Sequence, residues 1–80
     1  MITTLNKRLK QVFADTFEMP IDQISEEMSV HNSTAWDSMQ AMVLAVSLEA
    51  EFDVHFTDAE LMSMNSYAII RQSLQEKGIS

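Results

Sequence analysis

The chain has 80 residues, 46% of them hydrophobic, and its 12 acids outnumber its 5 bases to give a net charge of −7. So short a chain buries only about 60% of its unfolded surface, which leaves room for one thin core and little for a catalytic cleft with a supporting shell. The absence of cysteine excludes disulfides, thiolate metal sites and thiol nucleophiles, and suits a reducing cytosol.

One glycine and one proline are too few for the turns of an all-β chain or for a flexible linker. The expectation is an all-α fold in a single domain spanning residues 1–80. Lys7, Arg8 and Lys10 stand at the start, Arg71 and Lys77 near the end, and the stretch from Gln11 to Ile70 holds acids but neither Lys nor Arg. Nucleic acid is therefore not an expected partner, since phosphate backbones are bound by clustered bases. Basic partner surfaces are the natural complement, and the plain alternative is that acidity serves solubility. The chain shows no charged leader at its start, and its longest apolar run, Ala41 to Val46, falls far short of the ~18 residues of a membrane span. A cytoplasmic protein without membrane insertion is expected.

Leu5, Leu9, Val12, Phe13 and Phe17 fall on one helical face, so a first helix is predicted from about Thr4 to Phe17 or Glu18, with Thr3 or Thr4 as N-cap. Met19 precedes Pro20, whose ring disfavours helical backbone in the residue before it. A long polar connection follows to Trp36. Ile21, Ile24, Met28 and Val30 are its apolar side chains, and all four are expected to pin it across the helices.

Asp37 and Ser38 are both good N-cap residues for a second helix from Met39 to about Glu51. On a wheel of about 100° per residue, Ala41, Leu44, Ala45, Leu48 and Phe52 form one apolar face. Met39, Met42, Val43, Val46 and Ala50 form a second face roughly opposite. A chain this small cannot bury both, so one face is left over for a partner. Phe52, Val54 and Phe56 alternate with polar residues, but no other segment offers a strand to pair with. They are expected to plug the core from an extended connection. Thr57 and Glu60 have the spacing of a capping box and open a short third helix to about Met62. Asn65 or Ser66 then caps a fourth helix with Tyr67, Ile70 and Leu74 inward, ended by Lys77 and Gly78.

Most chemistry is excluded by what the sequence lacks. There is no glycine-rich phosphate loop, no close pair of metal ligands and no calcium-loop spacing. His31 and His55 lie far apart and read as solvated loop residues. A hydrolase triad built on Ser38 would need a strained elbow and an oxyanion hole, and no glycine flanks that serine.

What remains is Trp36-Asp37-Ser38-Met39 at the mouth of the apolar helix, after a long polar loop, in a small acidic chain. This resembles the acyl carrier proteins. The likeness extends to the amphipathic first helix, to Glu49-Ala50-Glu51-Phe52-Asp53 as the acidic end of helix 2, and to the short helix before Ser66. It implies a four-helix bundle with a long loop between helices 1 and 2, no catalytic residue and no metal. It also implies that the Ser38 hydroxyl carries 4′-phosphopantetheine, taken from coenzyme A by a phosphopantetheinyl transferase, so that acyl or aminoacyl groups ride as thioesters. Expected partners are that transferase and loading and transfer enzymes with basic or apolar docking surfaces, met by a monomer. Trp36, Asp37, Met39, Met42, Val43, Val46 and Glu49 are the expected recognition residues, with Trp36 alternatively a lid on the core. Met39 stands where the family usually has leucine, and Gln40 and Val43 stand where fatty-acid carriers have acids. Together with Trp36, these departures look like carriers of specialised pathways. The competing reading is an unmodified acidic adaptor that binds a helix through the methionine-rich face, with Ser38 a mere cap.

Overall fold

The computed structural model describes residues 4–79. It contains four α-helices, α1 (Thr4–Phe17), α2 (Ser38–Phe52), α3 (Asp58–Ser63) and α4 (Tyr67–Glu76), with a single 3-10 turn at Ile21–Gln23 in the long α1–α2 connection. The fold is all-α. The start of α1 meets the end of α2 through Arg8 and Glu51, while Phe13 and Phe17 near its end meet Trp36 just ahead of α2, so the two helices run antiparallel. Thr4 is already helical, and the alternative cap, Thr3, lies outside the described residues.

The predicted faces pack as their spacing requires. Leu5, Leu9 and Phe13 of α1, Leu44 and Leu48 of α2, Phe56, and Tyr67, Ile70 and Leu74 of α4 are all but inaccessible to solvent. Phe13 is the hub of the aromatic contacts: its ring centroid lies 5.3 Å from Trp36, 5.1 Å from Tyr67 and 5.7 Å from Phe17. Tyr67 donates its hydroxyl to Asn6 Oδ1 at 3.1 Å, and burial pushes its ionisation up to about 12, so the phenol stays neutral in this core.

Two features depart from the sequence reading. Of the four apolar side chains in the long loop, Ile24 and Met28 are buried, whereas Ile21 and Val30 are exposed. The loop needs less apolar anchoring because it is also held by backbone: Tyr67 N donates to Met28 O at 2.9 Å and Val30 N to Asn65 O at 3.0 Å, around an isolated antiparallel bridge between Ser29 and Ser66. Second, the acids of the middle of the chain are partly neutralised by bases from its two ends. Arg8 pairs with Glu51, Lys10 and Arg71 with Glu26, and Lys77 with Glu60. Hydrogen bonding from Arg71 holds the Glu26 carboxyl below its ordinary range.

Helices α1, α2 and α4 end by one device. Glu18 and Asp53 take left-handed backbone with φ of 55° and 54°, and Gly78 does so at 91°. The next residue's N–H then reaches back to a carbonyl of the last turn: Met19 to Ala14, Val54 to Glu49 and Ile79 to Leu74. Only the glycine advertised this in the sequence.

The short α3 is held by its cap. Glu60 Oε1 accepts from Thr57 N at 2.8 Å and from Lys77 Nζ at 3.0 Å, and Glu60 Oε2 accepts from Ser73 Oγ at 3.2 Å. The Thr57 amide, and after it Lys77, bring the Glu60 carboxyl down to about 2 from an ordinary 4.5. A depressed folded-state value stabilises the fold above the unfolded value and stops doing so as pH falls through the folded one. The difference in melting temperature between wild type and Glu60→Gln is therefore expected to be full above pH 4.5 and to close as pH falls towards about 2. A pH-independent gap would show that the carboxylate charge is not what holds α3.

For the core, Leu48→Ala removes side-chain atoms at a position with 0% exposure and is expected to cost about 2–5 kcal/mol in urea unfolding. A loss under about 1 kcal/mol would mean that the α1–α2 seam repacks around the gap.

Candidate functional site

The start of α2 is fixed from both sides. Trp36 is 2% exposed, seated edge-on to Phe13 with an interplanar angle of 82° and tilted against Phe17. Of the two roles the sequence left open for it, the structure gives it the core: it orients the residues after it and offers partners no surface. Its indole N–H is buried and has no hydrogen-bond partner among the described residues. One residue on, Asp37 takes extended backbone and its carboxylate accepts from Gln40 N at 2.9 Å, with Ala41 N bonded to Asp37 O at 2.8 Å.

Asp37 is thus the N-cap, and Ser38 is the first residue of the helix. Helix 2 begins one residue earlier than its apolar pattern suggested. Ser38 is exposed, and its hydroxyl makes no hydrogen bond to the described residues. The cap having been supplied by its neighbour, Ser38 has no capping duty to explain its presence.

Around it the first turn of α2 carries no acid. The amides of Ser38 and Met39 lie at a helix N-terminus, where they have no intrahelical acceptor and the helix dipole presents its positive end. Met39 is 74% exposed, Met42 72% and Val46 65%, with Val43 less so, while Leu44, Ala45, Leu48 and Phe52 are buried and Ala41 is half-buried. The left-over face is therefore the methionine-rich one. It continues onto α3 through Leu61 and through Met62, which is 86% exposed.

Below that surface a mostly apolar cavity of about 190 Å³ opens between α2 and α3, lined by Ala41, Met42, Ala45, Val46, Glu49, Leu61 and Met64. Leu61, Met62 and Met64 had gone unnoticed in the sequence; the available signal was three apolar residues in and just after a helix too short to have a buried face of its own. Glu49, expected among the recognition residues, has its carboxylate engaged by the chain itself, accepting from Phe56 N at 2.8 Å and lying 3.4 Å from His55 Nδ1. It fastens the α2–α3 connection. His31 and His55 are both exposed, and the described residues contain no metal-holding group of His, Cys, Asp and Glu side chains.

An exposed hydroxyl with no hydrogen bond to the described residues, at a helix N-terminus whose only nearby acid is the capping Asp37 and beside apolar surface, fits a phosphodiester-linked arm. The helix end favours the anionic phosphate.

Comparison with known proteins agrees with this geometry. The family model of the phosphopantetheine attachment site matches residues 7–68. The chain is also similar to polyketide-8 synthase acyl carrier protein 2 of Streptomyces avermitilis, at 29% identity over 65 residues that cover 80% of this chain and 75% of that protein. The chain belongs to the phosphopantetheine-binding acyl carrier family. It is accordingly a carrier and not a catalyst, and its prosthetic group is 4′-phosphopantetheine. Phosphopantetheinyl transferase and biosynthetic enzymes are its general class of partner. No helix among the described residues is long and apolar enough to cross a membrane.

Proposed function

We propose that Ser38 is the attachment point and that the chain is a single-domain, monomeric, cytoplasmic carrier of acyl or aminoacyl thioesters in a specialised pathway. The observation that carries the assignment is the division of labour at the helix start: Asp37 caps α2, leaving the exposed Ser38 hydroxyl free for chemistry. In the modification, Ser38 Oγ attacks the β-phosphorus of coenzyme A. The new P–O bond replaces the pyrophosphate P–O bond, adenosine 3′,5′-bisphosphate leaves, and the hydroxyl proton passes to a base of the transferase. Once bound, the phosphopantetheine supplies the thiol that carries cargo as a thioester. Asp37 keeps Ser38 at the helix start and presents negative charge beside it to the transferase.

Met39, Met42, Val43 and Val46 form the surface through which enzymes recognise the carrier, with Leu61 and Met62 extending it. Beyond the capping Asp37, the first turn of α2 carries no acid, so the rest of the contact near Ser38 is apolar in character. The likeness to a polyketide synthase carrier supports an acyl cargo made outside primary fatty acid synthesis.

Ser38→Ala is expected to keep the helical circular dichroism and to gain no phosphopantetheine mass when incubated with coenzyme A and a broad-range transferase, whereas wild type gains one equivalent. Modification of the variant, or none of the wild type with any transferase tried, would refute the assignment and favour the unmodified adaptor. Val46→Asp is expected to change stability by less than about 0.5 kcal/mol, as exposed substitutions usually do, while slowing modification or loading. Unchanged rates would take Val46 out of the recognition surface.

A further inference from the structure

Of the six methionines among the described residues, three are exposed: Met39 at 74%, Met42 at 72% and Met62 at 86%. Met28 and Met64 are buried at 8% each, and Met19 is half-buried against the core. Met39 and Met42 stand three residues apart on one side of α2, and Met62 follows Leu61, which lines a cavity together with Met42. We propose that these three thioethers form a reversible oxidation site, at which hydroperoxides switch off recognition of the carrier while its fold persists. The proposal rests on the recognition role given above to the methionine-rich face.

The chain has no cysteine, so before the arm is attached its thioethers are the side chains most readily oxidised. In the reaction a methionine sulfur attacks the terminal oxygen of the hydroperoxide, so that an S–O bond forms and the O–O bond breaks. The sulfur loses two electrons, and the proton of the transferred oxygen passes to the departing hydroxide or alkoxide, which leaves as water or an alcohol. A dithiol reductase reverses the step: the sulfoxide oxygen leaves as water while the dithiol closes to a disulfide. Access to the sulfur decides which residues react.

The consequence falls on the complex and not on the free chain. An exposed sulfoxide stays hydrated and costs the fold little, as exposed changes usually do. A partner that covers it must strip water from a strongly polar S=O group in a contact otherwise built with Val46 and Leu61, which are 65% and 42% exposed. Apolar neighbours cannot replace the lost hydrogen bonds. The sulfoxide also forfeits the soft, adaptable surface that a thioether offers to partners of different shape. Met64 lines the same α2–α3 cavity but is shielded, so the seam beneath the oxidised surface is kept.

In the test the full chain, before the arm is attached, is treated with hydrogen peroxide, and the peroxide is then removed with catalase. The chain is mapped by peptide mass spectrometry and incubated with coenzyme A and a broad-range transferase. Sulfoxide is expected at Met39, Met42 and Met62 at least about tenfold faster than at Met28 and Met64, with the helical circular dichroism unchanged. The oxidised chain is expected to gain phosphopantetheine about tenfold more slowly than the untreated chain. Reduction by the two methionine sulfoxide reductases, one for each epimer, with dithiothreitol should recover the rate. In the triple variant Met39→Leu, Met42→Leu, Met62→Leu, the ratio of treated to untreated rates should return to about one. A ratio that stays low in that variant, equal rates for oxidised and untreated wild type, or sulfoxide spread evenly over exposed and buried methionines with loss of helix, would overturn the proposal. An untreated chain that no transferase modifies would instead refute the carrier reading on which the proposal rests.

Discussion

The seating of Trp36 between Phe13 and Phe17 governs the geometry of this molecule. A long polar connection has to deliver the chain from the end of α1 to the start of an antiparallel helix, and polar residues alone cannot fix where it arrives. The indole, 2% exposed and in ring contact with both phenylalanines, ties the last residues of the loop to α1. Asp37 follows in extended backbone and its carboxylate closes the first turn. With the cap assigned, the next residue must be the first of the helix and must face outward. Ser38 stands where it does because of its two predecessors.

The second constraint is size. Helix α2 has two apolar faces, and α1, α4 and the loop anchors together cover only the one built from Leu44, Leu48 and Phe52. Burial of the other would need a further layer that a chain of 80 residues does not contain. The uncovered face carries methionines, whose unbranched, polarizable side chains adapt to differently shaped partners. That property suits a carrier met in turn by several enzymes, and it costs little in the folded protein, where exposed apolar residues are tolerated when partners cover them transiently.

Local signals were legible in the sequence because their physics is local. The Thr57–Glu60 capping box is reciprocal as its spacing demands, Ser66 caps α4, and the inward face of α1 follows from its period. The family motif was legible for the same reason, since it occupies consecutive residues. What escaped depends on residues distant in the chain. Nothing near Glu26 reveals that Lys10 and Arg71 converge on it, and nothing near Val30 reveals that its amide is taken by Asn65, which relieves its side chain of anchoring. Glu18 and Asp53 were missed as left-handed helix stops because neither is the glycine that signals such a position. At the candidate site, sequence alone could not say which of Asp37 and Ser38 caps the helix. Only the hydrogen bond to Gln40 N separates the cap from the hydroxyl left over.

The distribution of charge follows from the same economy. The lysine and arginine ion pairs of the described residues join α1 to α2, α1 and α4 to the loop, and α3 to α4. Exposed pairs of this kind each contribute little to stability, but they determine which charges remain unopposed at the surface. Arg8, Lys10, Arg71 and Lys77 are drawn to the seams between elements, and Asp15, Glu18, Asp22, Asp53 and Asp58 are left facing solvent. Long-range attraction of basic partners is the consequence, acting over roughly 10 Å at moderate salt. The first turn of α2 adds no acid to its Asp37 cap. On the proposed function, encounter is steered by carboxylates spread over the surface, whereas the contact beside Ser38 combines Asp37 with methionine and valine. Separating the two lets partners be gathered by charge and sorted by the shape of the apolar surface they present.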